Sequence, residues 1–135
     1  MFHPFDDKDP RAVHVIEQPD PRIHFALVCA SSSCPPIEVY GADSLEEDLD
    51  VSARTFLNAT VQLDREKKQI RLPKVFQWYG DDFGENETDY IRFVAQYMFR
   101  DKDRQFLEEE ALNLAVDYLD YDWRLNRNEI GEQVK

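Results

Sequence analysis

The sequence has few cysteines and no long apolar segment. Two cysteines among 135 residues are too few for the disulfide framework of a small secreted domain. No apolar run approaches the roughly 18 residues that a membrane-spanning helix needs, and the first ten residues lack the apolar stretch of a signal peptide. These absences predict a soluble, cytoplasmic protein with no membrane partner.

Basic residues are also scarce in relation to acidic ones. The chain contains 16 Lys and Arg residues against 28 Asp and Glu residues, which gives a formal net charge of −12 at pH 7. A charge of this sign repels the phosphates of nucleic acids and of anionic lipids. We therefore expect no nucleic-acid partner.

Apolar residues, in contrast, are plentiful enough for a core. Hydrophobic residues make up 42% of the chain and aromatic residues 13%, so a folded domain is expected despite the charged fraction of 33%. The length suits one domain over residues 1–135, with short polar tails at both ends.

Two segments have the periodicity of amphipathic helices. Ser44 and Glu47 form a capping box before apolar residues at helical spacing, which predicts a helix to about Leu57. Asn86 is the expected N-cap of a second helix that ends near Arg100. Shorter helices are predicted at residues 75–79 and 105–112, with a charged connector at 100–104. Residues 11–17 could form two helical turns or a strand, and a helix is preferred.

Alternating apolar and polar residues predict strands. Val61 and Leu63 pair with Ile70 and Leu72 as a β-hairpin, and residues 115–120 favour a further strand. Residues 20–36, DPRIHFALVCASSSCPP, hold both cysteines and an apolar run at 23–29. That run is predicted to be the central, covered strand. The expected fold is a single compact α+β domain with a small mixed or antiparallel sheet and two main amphipathic helices.

A thiol nucleophile needs a nearby imidazole as base, oriented by a carboxylate. The candidates are Cys34 as nucleophile in the loop after the central strand, His24 as base, and Asp122 as the orienting group, with Asp82 as a weaker choice. Alternation along a regular strand points His24 away from Cys29. His24 could equally be a core imidazole bonded to a carbonyl or to an aspartate, and Cys34 could simply pack under the loop.

Other chemistry at the cysteines is disfavoured. Cys29 is predicted to be a small buried hydrophobe. A disulfide with Cys34 is geometrically conceivable, but the spacing is not that of a Cys-x-x-Cys redox motif. The cysteines and His24 lack a fourth ligand and the paired spacing of a zinc site. No metal and no cofactor are predicted.

Aromatic residues, Arg22 and Asp82 are the candidate binding groups. Trp78, Tyr79 and Trp123, with Phe83, could form an aromatic wall for a ligand, although core anchors are the more usual role of such residues. Arg22 is expected to make a fixed ion pair with Asp82 or with Asp122.

Three blocks carry a family resemblance. They are DPRIHFALVCASSSCPP at residues 20–36, WYGDDF at 78–83 and YDWRLN at 121–126. Together they resemble the uncharacterised family called domain of unknown function 547, over about residues 9–126. The resemblance implies an α+β domain without a settled activity. Family members usually carry a further N-terminal half, of which this chain has some twenty residues before the first block.

Two functional hypotheses follow from these residues. The first is a non-catalytic binding or interaction module, with an unidentified protein as a possible partner. The alternative is a thiol-dependent hydrolase or transferase that uses Cys34 and His24.

Overall fold

The computed structural model describes residues 5–6, 8–16 and 19–126. Of the two predicted polar tails, residues 127–135 and residues 1–4 and 7 lie outside the described residues. Within the described part the chain is an α+β structure with five α-helices and a three-stranded mixed sheet.

Two Asp-Pro-Arg sequences each begin a short 3₁₀ helix. Asp9 caps Pro10–His14, and Asp20 caps Pro21–Phe25, each through its carboxylate, which accepts the backbone N–H of the arginine two residues on. Proline suits the first helical position because it has no N–H to leave unbonded. The helix preferred for residues 11–17 is thus present, as a shorter 3₁₀ helix at Pro10–His14.

The predicted central strand at residues 23–29 is wrong. Ile23, His24 and Phe25 belong to the second 3₁₀ helix, and the residues after Ala26 are irregular. The cap formed by Asp20 and Pro21 sets the local backbone. Of the apolar run, Phe25 is buried, whereas Leu27 is 65% exposed, so the run does not have the two covered faces of a central strand.

Helix α1 spans Leu45–Thr60, as predicted, and ends three residues later than expected. Ser44 is its N-cap, but the predicted capping box does not form, because the Ser44 hydroxyl donates to Asp48 Oδ2 instead of accepting from the helix. The buried stripe of the helix faces the core and contains Leu49, Ser52, Ala53, Phe56 and Leu57.

The sheet has the order β1-β2-β3. Strands β1 (Gln62–Asp64) and β2 (Gln69–Leu72) form the predicted antiparallel hairpin, in which Leu63 lies opposite Ile70. Strand β3 (Ala115–Tyr118) confirms the predicted last strand and pairs in parallel with β2. The central position therefore belongs to β2, and its Ile70 and Leu72 are fully buried.

Four helices connect β2 to β3. They are α2 (Val75–Trp78), α3 (Gly80–Phe83), α4 (Glu87–Tyr97) and α5 (Asp101–Glu110). Asn86 caps α4 as predicted, by accepting the N–H groups of Thr88 and Asp89. The predicted connector at 100–104 is wrong, because α5 begins at Asp101. Two aspartates in its first turn favour that start, since they lie at the positive end of the helix dipole.

An aromatic cluster joins the second 3₁₀ helix to the rest of the core. Phe25 is 1% exposed, and its ring centroid lies 5.5 Å from Phe56, 5.9 Å from Phe83 and 6.3 Å from Phe76. These distances are typical of interacting aromatic pairs. Phe25 thereby holds its neighbour His24 in a fixed position beside α1, α2 and α3.

Arg22 fixes the same 3₁₀ helix to α1. Its guanidinium donates to Asp20 within the helix cap and, across the interface, to Glu46 and to Asp50 Oδ1 at 2.8 Å. The predicted fixed ion pair of Arg22 is present, but the predicted partners were wrong: Asp82 and Asp122 bond other groups. Arg22 acts as a structural clamp.

Replacing Arg22 by Ala should lower the free energy of unfolding by about 1 to 2 kcal/mol, because the charge-assisted bonds to Glu46 and Asp50 are lost. The expected loss is no larger because these two carboxylates are 83% and 50% exposed and are screened by water. Arg11→Ala is the matched control. Arg11 occupies the same place in the other Asp-Pro-Arg sequence, but its side chain is 68% exposed and its ion pair is with Asp9, two residues before it. Urea denaturation measures both variants, and equal destabilisation would contradict the clamp.

Within the described ranges, no helix combines the length and the apolar character that a bilayer-spanning segment requires.

Candidate functional site

A cavity of about 540 Å³ lies between the loop that follows the second 3₁₀ helix, the start of α2 and the segment after β3. His24, Cys29 and Cys34 line it, together with Trp78, Tyr79, Tyr121 and Trp123. Leu27, Val28 and Val75 add apolar surface. The exposed end of the apolar run at 23–29 thus forms the wall of a cavity and not the face of a sheet.

Three aromatic rings form one side of the cavity. The Trp78 centroid lies 5.0 Å from that of Tyr121 and 5.8 Å from that of Trp123, and Tyr121 lies 4.4 Å from Trp123. Trp78 is 45% exposed and Trp123 69%. The preferred core role was wrong for these tryptophans and for the half-exposed Tyr79. Of the predicted aromatic set, only Phe83 is buried.

The two cysteines lie side by side at the cavity wall. Their Sγ atoms are 3.1 Å apart, both thiols are free, and the backbone N–H of Cys29 donates to Cys34 Sγ at 2.8 Å. Cys29 is exposed, so its predicted role as a buried hydrophobe is wrong. Ala30, the next residue, has φ 61°, a left-handed conformation that is costly outside glycine and that turns the chain between the two thiols.

Two hydroxyl groups contact the Cys29 sulfur. Ser31 Oγ lies 3.4 Å from it and the Tyr121 hydroxyl 3.3 Å. Hydrogen bonds from Ser31, Tyr121 and Cys34, in that order of strength, stabilise the thiolate and lower the pKa of Cys29 to about 6. Desolvation and the bond to Cys29 raise the pKa of Tyr121 to about 12. At neutral pH the tyrosine is therefore protonated and donates to the thiolate.

The segment after β3 holds the cysteine loop in place. The Ser32 N–H donates to the Arg124 carbonyl at 2.8 Å, and the Asp122 N–H donates to Ser33 Oγ at 2.8 Å. Ser31 and Leu125 form an isolated antiparallel bridge. The serine run thus makes the bonds between residues 20–36 and the YDWRLN block. The predicted pairings of His24 or Arg22 with Asp122 do not form, because His24 bonds Asp82 and Arg22 bonds Asp50.

His24 is bonded to Asp82 and not to Asp122. The ring Nε2 lies 2.8 Å from Asp82 Oδ2, and the imidazole stacks on Tyr79 with centroids 4.5 Å apart. Asp122 pairs with Arg124, which together with the Arg124 N–H lowers the pKa of Asp122 to about 2. Among the described residues no hydrogen bond joins His24 to either sulfur. The predicted triad of Cys34, His24 and Asp122 therefore does not form.

Sequence reasoning missed Ser31 and Tyr121 as site residues. Ser31 is 4% exposed, and its hydroxyl donates to the Tyr121 hydroxyl at 2.8 Å. The only indication of a role in the sequence was that Ser31 belongs to the serine run and Tyr121 to the YDWRLN block. In the described part of the chain, no three His, Cys, Asp or Glu side chains group together as metal ligands.

The family model described as "Protein of unknown function, DUF547" matches residues 1–57. The match confirms the predicted resemblance over the part of the chain that holds His24, Cys29 and Cys34. The likeness of the two later blocks, WYGDDF and YDWRLN, stays a prediction. No curated protein and no solved structure matches the chain.

Proposed function

We propose that this domain is a binding module that holds a small ligand with an apolar or aromatic body in the cavity. The observation that carries the proposal is the group of Trp78, Tyr121 and Trp123, in which both tryptophans are exposed and the tyrosine is half-buried. Large aromatic rings left open to solvent around a concavity are typical of ligand sites, because a bound apolar group removes their surface from water.

Charge narrows the class of ligand. The chain has a net charge of −12, and Asp120 and Lys74, which carry opposite charges, both line the cavity. A neutral or cationic ligand is therefore favoured over an anion. A protein partner that inserts an apolar or aromatic side chain would contact the same wall, in agreement with the interaction module predicted from the sequence.

Tryptophan fluorescence offers a direct test, because both tryptophans of the chain line the cavity. Titration with N-phenyl-1-naphthylamine, an uncharged aromatic probe, should quench their emission. Trp123→Ala should weaken probe binding about tenfold, the effect of roughly 1.4 kcal/mol for one lost aromatic contact.

Phe99→Ala is the matched control, since Phe99 is 60% exposed, an exposure similar to that of Trp123, and lies outside the cavity. Its affinity for the probe should equal that of the unmodified protein. Absence of quenching, or equal losses in the two variants, would overturn the binding proposal.

Thiol-dependent hydrolysis or group transfer is a second candidate, favoured by the exposed Cys29 at the cavity wall. In this candidate Cys29 replaces Cys34 as the nucleophile, because Cys29 is the exposed thiol. Asp82 replaces Asp122 as the partner of His24, because its carboxylate lies 2.8 Å from the ring. The thiolate would attack a carbonyl carbon of a bound ester or amide to form a thioester. The leaving group would take its proton from the solvent or from His24, and water would then release the acyl group.

A further inference from the structure

The two cysteines form a pair whose geometry the ligand-binding function does not use. Their Sγ atoms are 3.1 Å apart, whereas a disulfide bond measures about 2.05 Å, so closing the remaining distance of about 1 Å needs only small side-chain rotations. Both thiols line the same cavity. A molecule bound there would contact two sulfurs that can join to each other.

We propose that Cys29 and Cys34 reduce a disulfide bound in the cavity, with Cys29 as the attacking thiol and Cys34 as the resolving thiol. This activity goes beyond ligand binding and requires a disulfide of the general form RS–SR as oxidant. The protein supplies two electrons and two protons. The products are an intramolecular disulfide and two RSH molecules.

The reaction has two balanced steps. In the first, the Cys29 thiolate attacks one sulfur of RS–SR, so that a mixed disulfide forms while the RS–SR bond breaks and the leaving RS⁻ takes a proton. In the second, Cys34 loses its proton and attacks the Cys29 sulfur. The Cys29–Cys34 bond forms, and the second RS⁻ leaves and is protonated.

The surroundings of the two sulfurs indicate which thiol attacks the substrate and which resolves the mixed disulfide. Cys29 is exposed to the cavity and receives hydroxyl contacts from Ser31 and Tyr121, whereas Cys34 is half-buried and held by the Cys29 backbone N–H. An attacking thiol must be accessible and ionised, while a resolving thiol needs to reach only its neighbour. The lowered pKa of Cys29 supports the same order.

The cavity wall indicates the substrate class. The aromatic group of Trp78, Tyr121 and Trp123 favours a disulfide with apolar or aromatic arms, and the acidic chain disfavours an anionic one. An uncharged aromatic disulfide, 2,2′-dithiodipyridine, therefore serves as the probe. Each of its halves is released as a chromophoric thione.

The experiment mixes the reduced protein with half an equivalent of the probe at about pH 5. Each probe molecule should yield two thiones, and mass spectrometry should show protein that has lost two hydrogens and carries no adduct. The first release should be about 50-fold faster than for a thiol of ordinary pKa, because the thiolate fraction is roughly a thousandfold higher and the nucleophilicity of that thiolate is roughly twentyfold lower.

Single-cysteine variants separate the two roles. Cys34→Ser should release one thione at the fast rate and stop as a mixed disulfide on Cys29. Cys29→Ser should react at the rate of an ordinary thiol. The proposal is overturned if unmodified protein accumulates two adducts, or if Cys29→Ser keeps the fast phase.

Trp123→Ala distinguishes this activity from ligand binding, because it removes part of the aromatic wall and keeps both thiols. Its thione yield per probe should stay at two even where the affinity for N-phenyl-1-naphthylamine falls. A yield of one would show that the resolving step depends on the wall and would contradict the assignment of Cys34.

Discussion

Iodoacetamide is expected to alkylate Cys29 of the folded protein with a rate that rises through a midpoint near pH 6 and becomes level above about pH 7. The reactive species is the thiolate, whose fraction follows the pKa of about 6 that the neighbouring hydroxyl and thiol groups impose. Because the pKa is lowered, the thiolate is present above the midpoint and is lost as the pH falls through it. A thiol with a pKa of 9.0 would be only about one part in a thousand ionised at pH 6.

Peptide mapping of the labelled protein identifies which cysteine reacts. Cys29→Ser should remove the phase with the midpoint near pH 6. A midpoint above about pH 8 in the unmodified protein, or labelling confined to Cys34, would contradict the assignment of Cys29 and remove the basis of the thiol-enzyme candidate.

Tyr121→Phe extends the same measurement. The Tyr121 hydroxyl lies 3.3 Å from the Cys29 sulfur and is one of the groups whose hydrogen bonds lower the pKa of Cys29. Loss of this bond should move the alkylation midpoint upward by about 1 to 2 pH units. Tyr118→Phe is the control, because its hydroxyl bonds Glu87 at 3.0 Å and its pKa is also raised, to about 12.

The regular elements of the fold could be predicted because their signals are local. Asn86 accepts the N–H groups at the start of α4, and Leu63 pairs with Ile70 in the hairpin, as the patterns indicated. The helix α5 was placed too late because Gln105 and later residues carried the apolar periodicity, while its first turn is charged. The parallel pairing of β2 with β3 has no local signal, since four helices separate the two strands.

The wrong prediction of a central strand shows that hydrophobic periodicity does not determine the structure of a short apolar run. An apolar run of seven residues fits a covered strand as well as it fits a segment that lines a cavity. Asp9 and Pro10 were interpreted as the start of a helix at residues 11–17. Asp20 and Pro21 form the same cap and begin a helix as well. With the strand removed, the argument that placed His24 and Cys29 on opposite faces no longer holds.

The composition of the site was predicted in part. His24, Cys34, Trp78, Tyr79 and Trp123 do line one cavity. The preferred pairing of His24 with Asp122 was wrong, and the weaker choice, Asp82, is its partner. Asp122 is taken by Arg124 two residues later, and Asp82 reaches His24 only because α3 packs beside the second 3₁₀ helix. Contacts such as that of Ser31 with Tyr121, 90 residues apart, depend on the tertiary fold.

Phe25→Ala should lower the free energy of unfolding by about 3 to 5 kcal/mol, the usual cost of deleting a fully buried phenylalanine side chain. Leu27→Ala should cost less than about 1 kcal/mol, because Leu27 is 65% exposed at the cavity wall. The comparison is decisive for the segment. In a covered strand, Phe25 and Leu27 would lie on one buried face, and the two substitutions would lower the free energy of unfolding by similar amounts. The observed structure buries Phe25 in the 3₁₀ helix and leaves Leu27 exposed to water. Urea midpoints measure both variants, with Phe25→Leu as a milder change if the alanine variant does not fold. Equal losses of stability at the two positions would favour the strand and would contradict the 3₁₀ helix that holds His24 and Arg22 in place.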